Sequence, residues 1–209
     1  NFQNVTAELC WFLRGLTNVS YLHKWDCHIW DANADRFGEC GPIYGYQWRY
    51  FNGDRTEEGD QITTLIRNIR LKPKSTRLVV SSWNPLQLHA MQLPPCHYGF
   101  QVHVLPDFKL SLQVSMRSTD VCLGLPYNIA SYALLLNLLC KVTGKIPHEL
   151  IMDLGNVHVY DEHVINAAIQ ISRKPKDLPT VNLIKPINHD LWDLDPDHFE
   201  LVNYNPYPF

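Results

Sequence analysis

Asn128 to Val142, NIASYALLLNLLCKV, is apolar almost all the way round and ends at Thr143-Gly144. A helix with no polar face has to be wrapped by other elements, so the stretch predicts a central buried helix with a glycine stop. Upstream, Tyr98–Leu105 and Lys109–Arg117 read as an antiparallel pair turning around Pro106-Asp107. The second strand alternates at Leu110, Leu112, Val114 and Met116, and Arg117 breaks the pattern ahead of Ser118-Thr119-Asp120. Arg77–Trp83 and Ile151–Tyr160 read as further strands. Three other helices are expected. Thr6–Arg14 carries a Leu9, Phe12, Leu13 stripe. A second is capped by Asp60 and built on Ile62, Leu65, Ile66 and Ile69. Glu162–Arg173 is built on Val164, Ile165, Ala168, Ile169 and Ile171. Asp26–Arg49 is a packed loop region rich in aromatics and turn formers. The sum is an α+β fold over one domain, residues 1–209, with a mostly antiparallel or mixed sheet around one long buried helix.

Composition narrows the function. The 209 residues carry a net charge of -3 with 45% apolar and 19% charged side chains, and no basic run marks a nucleic-acid partner. No apolar run is expected to span a membrane, and no signal-peptide pattern opens the chain. Six cysteines (Cys10, Cys27, Cys40, Cys96, Cys122, Cys140) without a CxxC pair point to reduced thiols and an intracellular, cytoplasmic protein. Ten histidines are scattered with no HExxH or Cys/His pairing, so no metal site is expected.

The chemistry gathers at the ends of elements. Leu93-Pro94-Pro95-Cys96-His97 sets a thiol just after a rigid proline elbow, beside a histidine able to hydrogen-bond or carry positive charge. Arg77 opens one strand, Arg117 and Ser118 close another, Asn128 opens the buried helix, and His158 and Tyr160 share a strand face. Arginines and a hydroxyl suit a phosphate, and an amide at the mouth of an apolar helix needs both a donor and an acceptor. Together these groups suggest a nucleotide site with a nucleophile.

The motifs AELCWFLRG (7–15), HIWDAN (28–33), GPIYGYQWR (41–49), DQI (60–62), SSWNP (81–85), LPPCH (93–97), MRSTDVCLGLPYNIASYA (116–133), LGNVHVY (154–160) and YNPYP (204–208) resemble the thymidylate synthase family. They follow the family's order over essentially the whole chain.

The resemblance implies a homodimer with back-to-back sheets and the reductive methylation of dUMP by 5,10-methylenetetrahydrofolate, with no metal. It implies Cys96 as the nucleophile at C6 of uracil, with Glu8 and Tyr44 moving protons and His97 beside the nucleophile. For dUMP it implies Arg117, Ser118 and Thr119 near the phosphate and Arg77 donated across the dimer interface. Asn128 is expected on the uracil edge, His158 and Tyr160 on the ribose hydroxyl, and Asp120 at the boundary with the pterin. For the folate it implies Trp30, Asn33, Asp120, Leu123 and Gly124. The physics fits these roles. Thiolate addition makes C5 of uracil nucleophilic, nearby arginines favour a thiolate, and an Asn prefers uracil over cytosine.

Three positions depart from the family: Thr76 before Arg77 where an Arg-Arg pair is usual, Met116 for Gln, and Asn156 for Asp. The family's N-terminal arginine loop and C-terminal tail are expected to lie outside these residues. The alternative readings are a dUMP hydroxymethylase, in which water quenches the methylene, and a non-catalytic homologue acting by binding.

Overall fold

A computed structural model describes residues 1–53, 56 and 58–207, so the final proline of the YNPYP stretch, Pro208, lies outside the described residues. The long helix is there, but it starts earlier than expected, spanning Gly124–Thr143. Gly124 and Pro126 look like breakers, yet Pro126 sits in the first turn, where a backbone N–H has no intrahelical partner to lose. Gly144 ends the helix in the left-handed region at φ 68, its N–H bonded to the Cys140 carbonyl. Asn128 therefore stands in the second turn, not at the cap.

Burial of this helix, the fifth in the chain (α5), is one-sided. Leu135, Leu138 and Leu139 are sealed, while Ile129 is 44% exposed and Asn137 and Lys141 face out. At 20 residues it is also long and apolar enough to cross a membrane, against the expectation from the sequence. Its packing against neighbouring helices and the sheet makes it a core helix.

Four strands form the main sheet in the order Val79–Ser81 (β1), His97–Val104 (β2), Lys109–Met116 (β3), Ile146–Leu154 (β5). The first two pairings are antiparallel, and β3–β5 is parallel with α5 as the crossover, so the sheet is mixed. The alternating Leu110, Leu112, Val114 and Met116 all point into the core. β1 is shorter than predicted and leaves Arg77 ahead of it. β5 begins at Ile146 rather than Ile151 and carries Ile146, Ile151 and Leu154 exposed. Beyond β3 and β5 the chain continues into a short parallel pair, Thr119–Asp120 (β4) with Val157–His158 (β6).

Phe2–Leu13 (α1) is buried continuously from Val5 to Leu13. Ser20–His23 (α2) precedes the region expected as loop, whose last residues, Tyr44–Arg49, are helical instead (α3), and Gln61–Leu71 (α4) is capped by Asp60, whose side chain accepts from Thr63 N–H as expected. Val164–Ser172 (α6) is helical as predicted, but none of its residues is buried; Ile165 is 74% and Ile171 85% exposed. Periodicity revealed an apolar face on this helix and nothing about its cover. A C-terminal hairpin, Thr180–Leu183 (β7) with Phe199–Val202 (β8), follows. Leu191, Leu194 and Phe199 enter the core. Arg14, at the end of α1, and Tyr21 of α2 clasp this region through Asp195, at 2.9 and 2.7 Å.

Arg49 is wholly buried. Its guanidinium donates to the Leu13 carbonyl (2.6 Å), the Asp190 carbonyl (2.6 Å) and Asp60 (3.2 Å), and lies 4.2 Å from the Trp192 ring centroid. Arg49→Met would take this donor from the Leu13 and Asp190 carbonyls and the counter-charge from Asp60, and loss of one partner of a buried ion pair costs about 3–5 kcal/mol. Chemical denaturation of this variant should show that loss; a change below about 1 kcal/mol would mean the network is idle.

Candidate active site

The Leu93–His97 elbow holds an arginine as well as a thiol. Arg117 donates from Nε to the Pro95 carbonyl (2.9 Å) and from Nη2 to the Pro94 carbonyl (2.8 Å), and its backbone N–H donates to the Cys96 carbonyl (2.8 Å). The two prolines lack N–H groups, and in this turn their carbonyls serve as fixed acceptors. The result sets the Arg117 guanidinium 3.9 Å from Cys96 Sγ, with the Trp83 ring 5.9 Å from its carbon centre. Cys96 is half-buried and free.

Tyr44 enters from the start of α3, where φ of 24 marks a constrained turn. Its hydroxyl accepts from Cys96 N–H at 2.8 Å, which leaves the phenolic proton available to another acceptor. His97 stacks on Tyr44 at 4.2 Å and bonds the Tyr132 hydroxyl at 2.7 Å. Of the two roles open to His97, the structure supports the hydrogen bond and not the positive charge. The ring is buried, and desolvation drives its pKa down to about 3, so it is a neutral packing partner and the local cation is Arg117.

Glu8 is turned inward from α1. Trp30 Nε1 donates to its carboxylate at 2.7 Å, and burial raises its pKa to about 7, with the Trp30 bond partly opposing. Trp30 meets Tyr44 edge-on at 5.8 Å. One path of contacts therefore runs from Glu8 through Trp30 and Tyr44 to Cys96 and Arg117.

The second cluster surrounds the start of α5. Asp120 Oδ1 accepts from Cys122 N–H (3.0 Å) and Leu123 N–H (3.4 Å), shaping the turn into the helix. A side chain on Gly124 would meet Asp120 Cβ at 3.6 Å and Asn128 Oδ1 at 3.7 Å, so these three residues face one another. The β4–β6 pairing sets Asp120 opposite His158. His158 Nδ1 bonds the Asn156 carbonyl at 2.8 Å and meets Tyr160 edge-on at 5.2 Å. Asn156 takes φ 35, a conformation that Asn tolerates.

Other expected residues fall outside these groups. Thr119 is fully buried with its hydroxyl unpartnered among the described residues. Ser118 is half-exposed beside Arg117, and Asn33 ends the short turn after Trp30. Arg77 and Thr76 are exposed, and Arg77's backbone N–H is held by Ser75 Oγ at 3.1 Å. Sequence reasoning missed Tyr132 and Trp83. Their motifs, NIASYA and SSWNP, marked them as matches without revealing what they touch.

The α+β scaffold thus carries a free thiol beside a guanidinium, a buried acid near neutrality joined to it by ring contacts, and an amide on the second turn of α5. A family model described as thymidylate synthase matches residues 1–209, and the chain belongs to the thymidylate synthase family, enzymes that are transferases of dTMP biosynthesis.

Proposed function

We propose that this chain catalyses the reductive methylation of dUMP to dTMP as a homodimer. The observation that carries the reading is the unbroken path Glu8–Trp30–Tyr44–Cys96–Arg117. Cys96 Sγ adds to C6 of the uracil, and the guanidinium at 3.9 Å gives the sulfur a counter-charge while Nη1 remains to meet the phosphate beside Ser118. Asn128 presents its amide to the uracil edge and to the charge that develops at O4. Glu8, poised near pH 7, holds and releases the proton exchanged with the ring, and the Tyr44 hydroxyl takes part in moving the C5 proton. His158 and Tyr160 hold the ribose hydroxyl.

5,10-Methylenetetrahydrofolate supplies the one-carbon unit and the hydride when bound. The residues fit such a group. Asp120 keeps Oδ2 free for a pterin donor, Leu123 is 59% exposed as an apolar wall, and Gly124 leaves a shelf between Asp120 and Asn128. The same reading assigns Trp30 and Asn33 to the folate. The exposed Arg77 and the apolar β5 strand support a dimer in which Arg77 reaches the partner's phosphate site.

The test is incubation with dUMP and the folate, followed by product mass and dihydrofolate formation. Equal amounts of dTMP and dihydrofolate are expected. Hydroxymethyl-dUMP without dihydrofolate would replace this reading with a hydroxylating one, and no product with no trapping of 5-fluoro-dUMP would leave a binding protein. Thr76→Arg restores a phosphate donor worth about 1.5–3 kcal/mol, so dUMP should bind roughly 10- to 150-fold tighter by calorimetry. Unchanged affinity would remove Thr76 from the phosphate site.

A further inference from the structure

The histidines are not all scattered in space. α2 ends at His23, Asp26 turns the chain at φ 52, and the short turn at Asp31–Asn33 brings Asp31 back toward the two imidazoles of His23 and His28. Asp31 Oδ1 lies 2.8 Å from His23 Nε2, and Asp31 Oδ2 lies 2.8 Å from His28 Nδ1. The two rings stack with centroids 4.8 Å apart, and one ligand atom from each of the three residues lies within 4.8 Å of the others. Asp26 Oδ1 stands 3.5 Å from His28 Nε2. The spacing H-x4-H-x2-D has no helical or strand period, so only the turn geometry assembles it.

We propose that His23 Nε2, His28 Nδ1 and the Asp31 carboxylate bind a late first-row divalent cation of the zinc class, with water completing its sphere. Two imidazoles and one carboxylate are the donor set such ions take when a coordination position stays open. Ligand atoms around a tetrahedral zinc stand about 3.3 Å apart, given bonds of about 2.0 Å. The present 2.8 Å contacts need to open by only about half an ångström, and all three side chains are exposed and free to adjust. Without the ion, one carboxylate serves as acceptor for two imidazoles; with it, both rings turn their lone pairs to a common centre. The clamp would close the segment that contains Trp30, whose indole N–H holds Glu8, so the ion would fix the backbone on both sides of that residue.

The purified full chain, stripped with chelator, is titrated separately with zinc and cobalt chloride. One equivalent of zinc should bind, zinc should raise Tm, and the cobalt form should lack a sulfur-to-cobalt charge-transfer band, which excludes the six thiols. The double variant His23→Ala, His28→Ala should lose that equivalent and its Tm response, and Asp31→Asn should weaken binding roughly 10- to 100-fold. These side chains are surface groups, so the metal-free variants should melt with the wild type; Asp31→Asn keeps the test valid if the double variant does not. No bound equivalent, undiminished binding in both variants, or a sulfur band in the cobalt spectrum would overturn the site.

Discussion

Cys96→Ala should abolish turnover by at least about 10⁴-fold and end covalent capture of 5-fluoro-dUMP, with the fold intact. The reason is local. The contacts that shape the turn use Cys96 backbone groups, its N–H to Tyr44 and its carbonyl from Arg117, and alanine keeps both. Only the sulfur facing the guanidinium disappears. dUMP should still bind, because the phosphate and uracil groups are elsewhere, and calorimetry can register this. Intact-protein mass after incubation with the fluorinated nucleotide and folate gives the decisive number. Cys122 is the only other cysteine that is not buried and lies two residues from Asp120, which makes Cys122→Ala the control. An adduct that vanishes with Cys122 and survives loss of Cys96 would refute the assignment.

The second large effect is on stability against pH, where two buried groups act in opposite senses. His97 titrates near 3 in the folded protein against an ordinary 6.5, so between those values the unfolded chain binds more protons. Its contribution is therefore present above pH 6.5 and lost as pH falls toward 3, on the order of 5 kcal/mol in full. Glu8 titrates near 7 against an ordinary 4.5, so in that window the folded chain binds more protons. Its contribution is complete below pH 4.5 and lost as pH rises through 7, about 3 kcal/mol.

From pH 4.5 to 6.5 the two slopes largely cancel. Below that, of the two only His97 titrates and drives an acid loss; just above, of the two only Glu8 does, lowering stability before it levels off. Urea midpoints from pH 4 to 8 should show this shape. His97→Asn should flatten the acid limb and Glu8→Gln the neutral one. Comparing slopes rather than absolute midpoints separates titration from repacking. A His97 variant that keeps the full acid limb would show that other groups carry it.

Much of the fold was legible because its strongest elements obey period rules. The Leu110–Met116 alternation and the Ile62–Ile69 stripe became buried faces, and Asp60 capped α4 as its position suggested. Boundaries failed where turn residues sit inside elements, as with Gly124 and Pro126 in α5 and Pro147 in β5. Burial decided what the sequence left open. A histidine beside a thiol reads as a potential cation, and only the packing of Tyr44 and Tyr132 around His97 makes it neutral. Thr119, one residue past Ser118, points inward for the same reason. The candidate site residues come from motif resemblance, whereas the proline carbonyls that seat Arg117 have no counterpart in it, since a backbone acceptor leaves no mark in the sequence.

The clasp of Arg14 and Tyr21 on Asp195 closes a loop of more than 170 residues. During synthesis, α1 emerges with Leu9, Trp11 and Phe12 ready for burial, yet the residues that seal its outer end leave the ribosome long afterwards. Non-local closure of this kind is slow, and it leaves apolar surface open to association in the interval. A nascent chain arrested before residue 195 should therefore hold α1 in a protease-sensitive, chaperone-bound state.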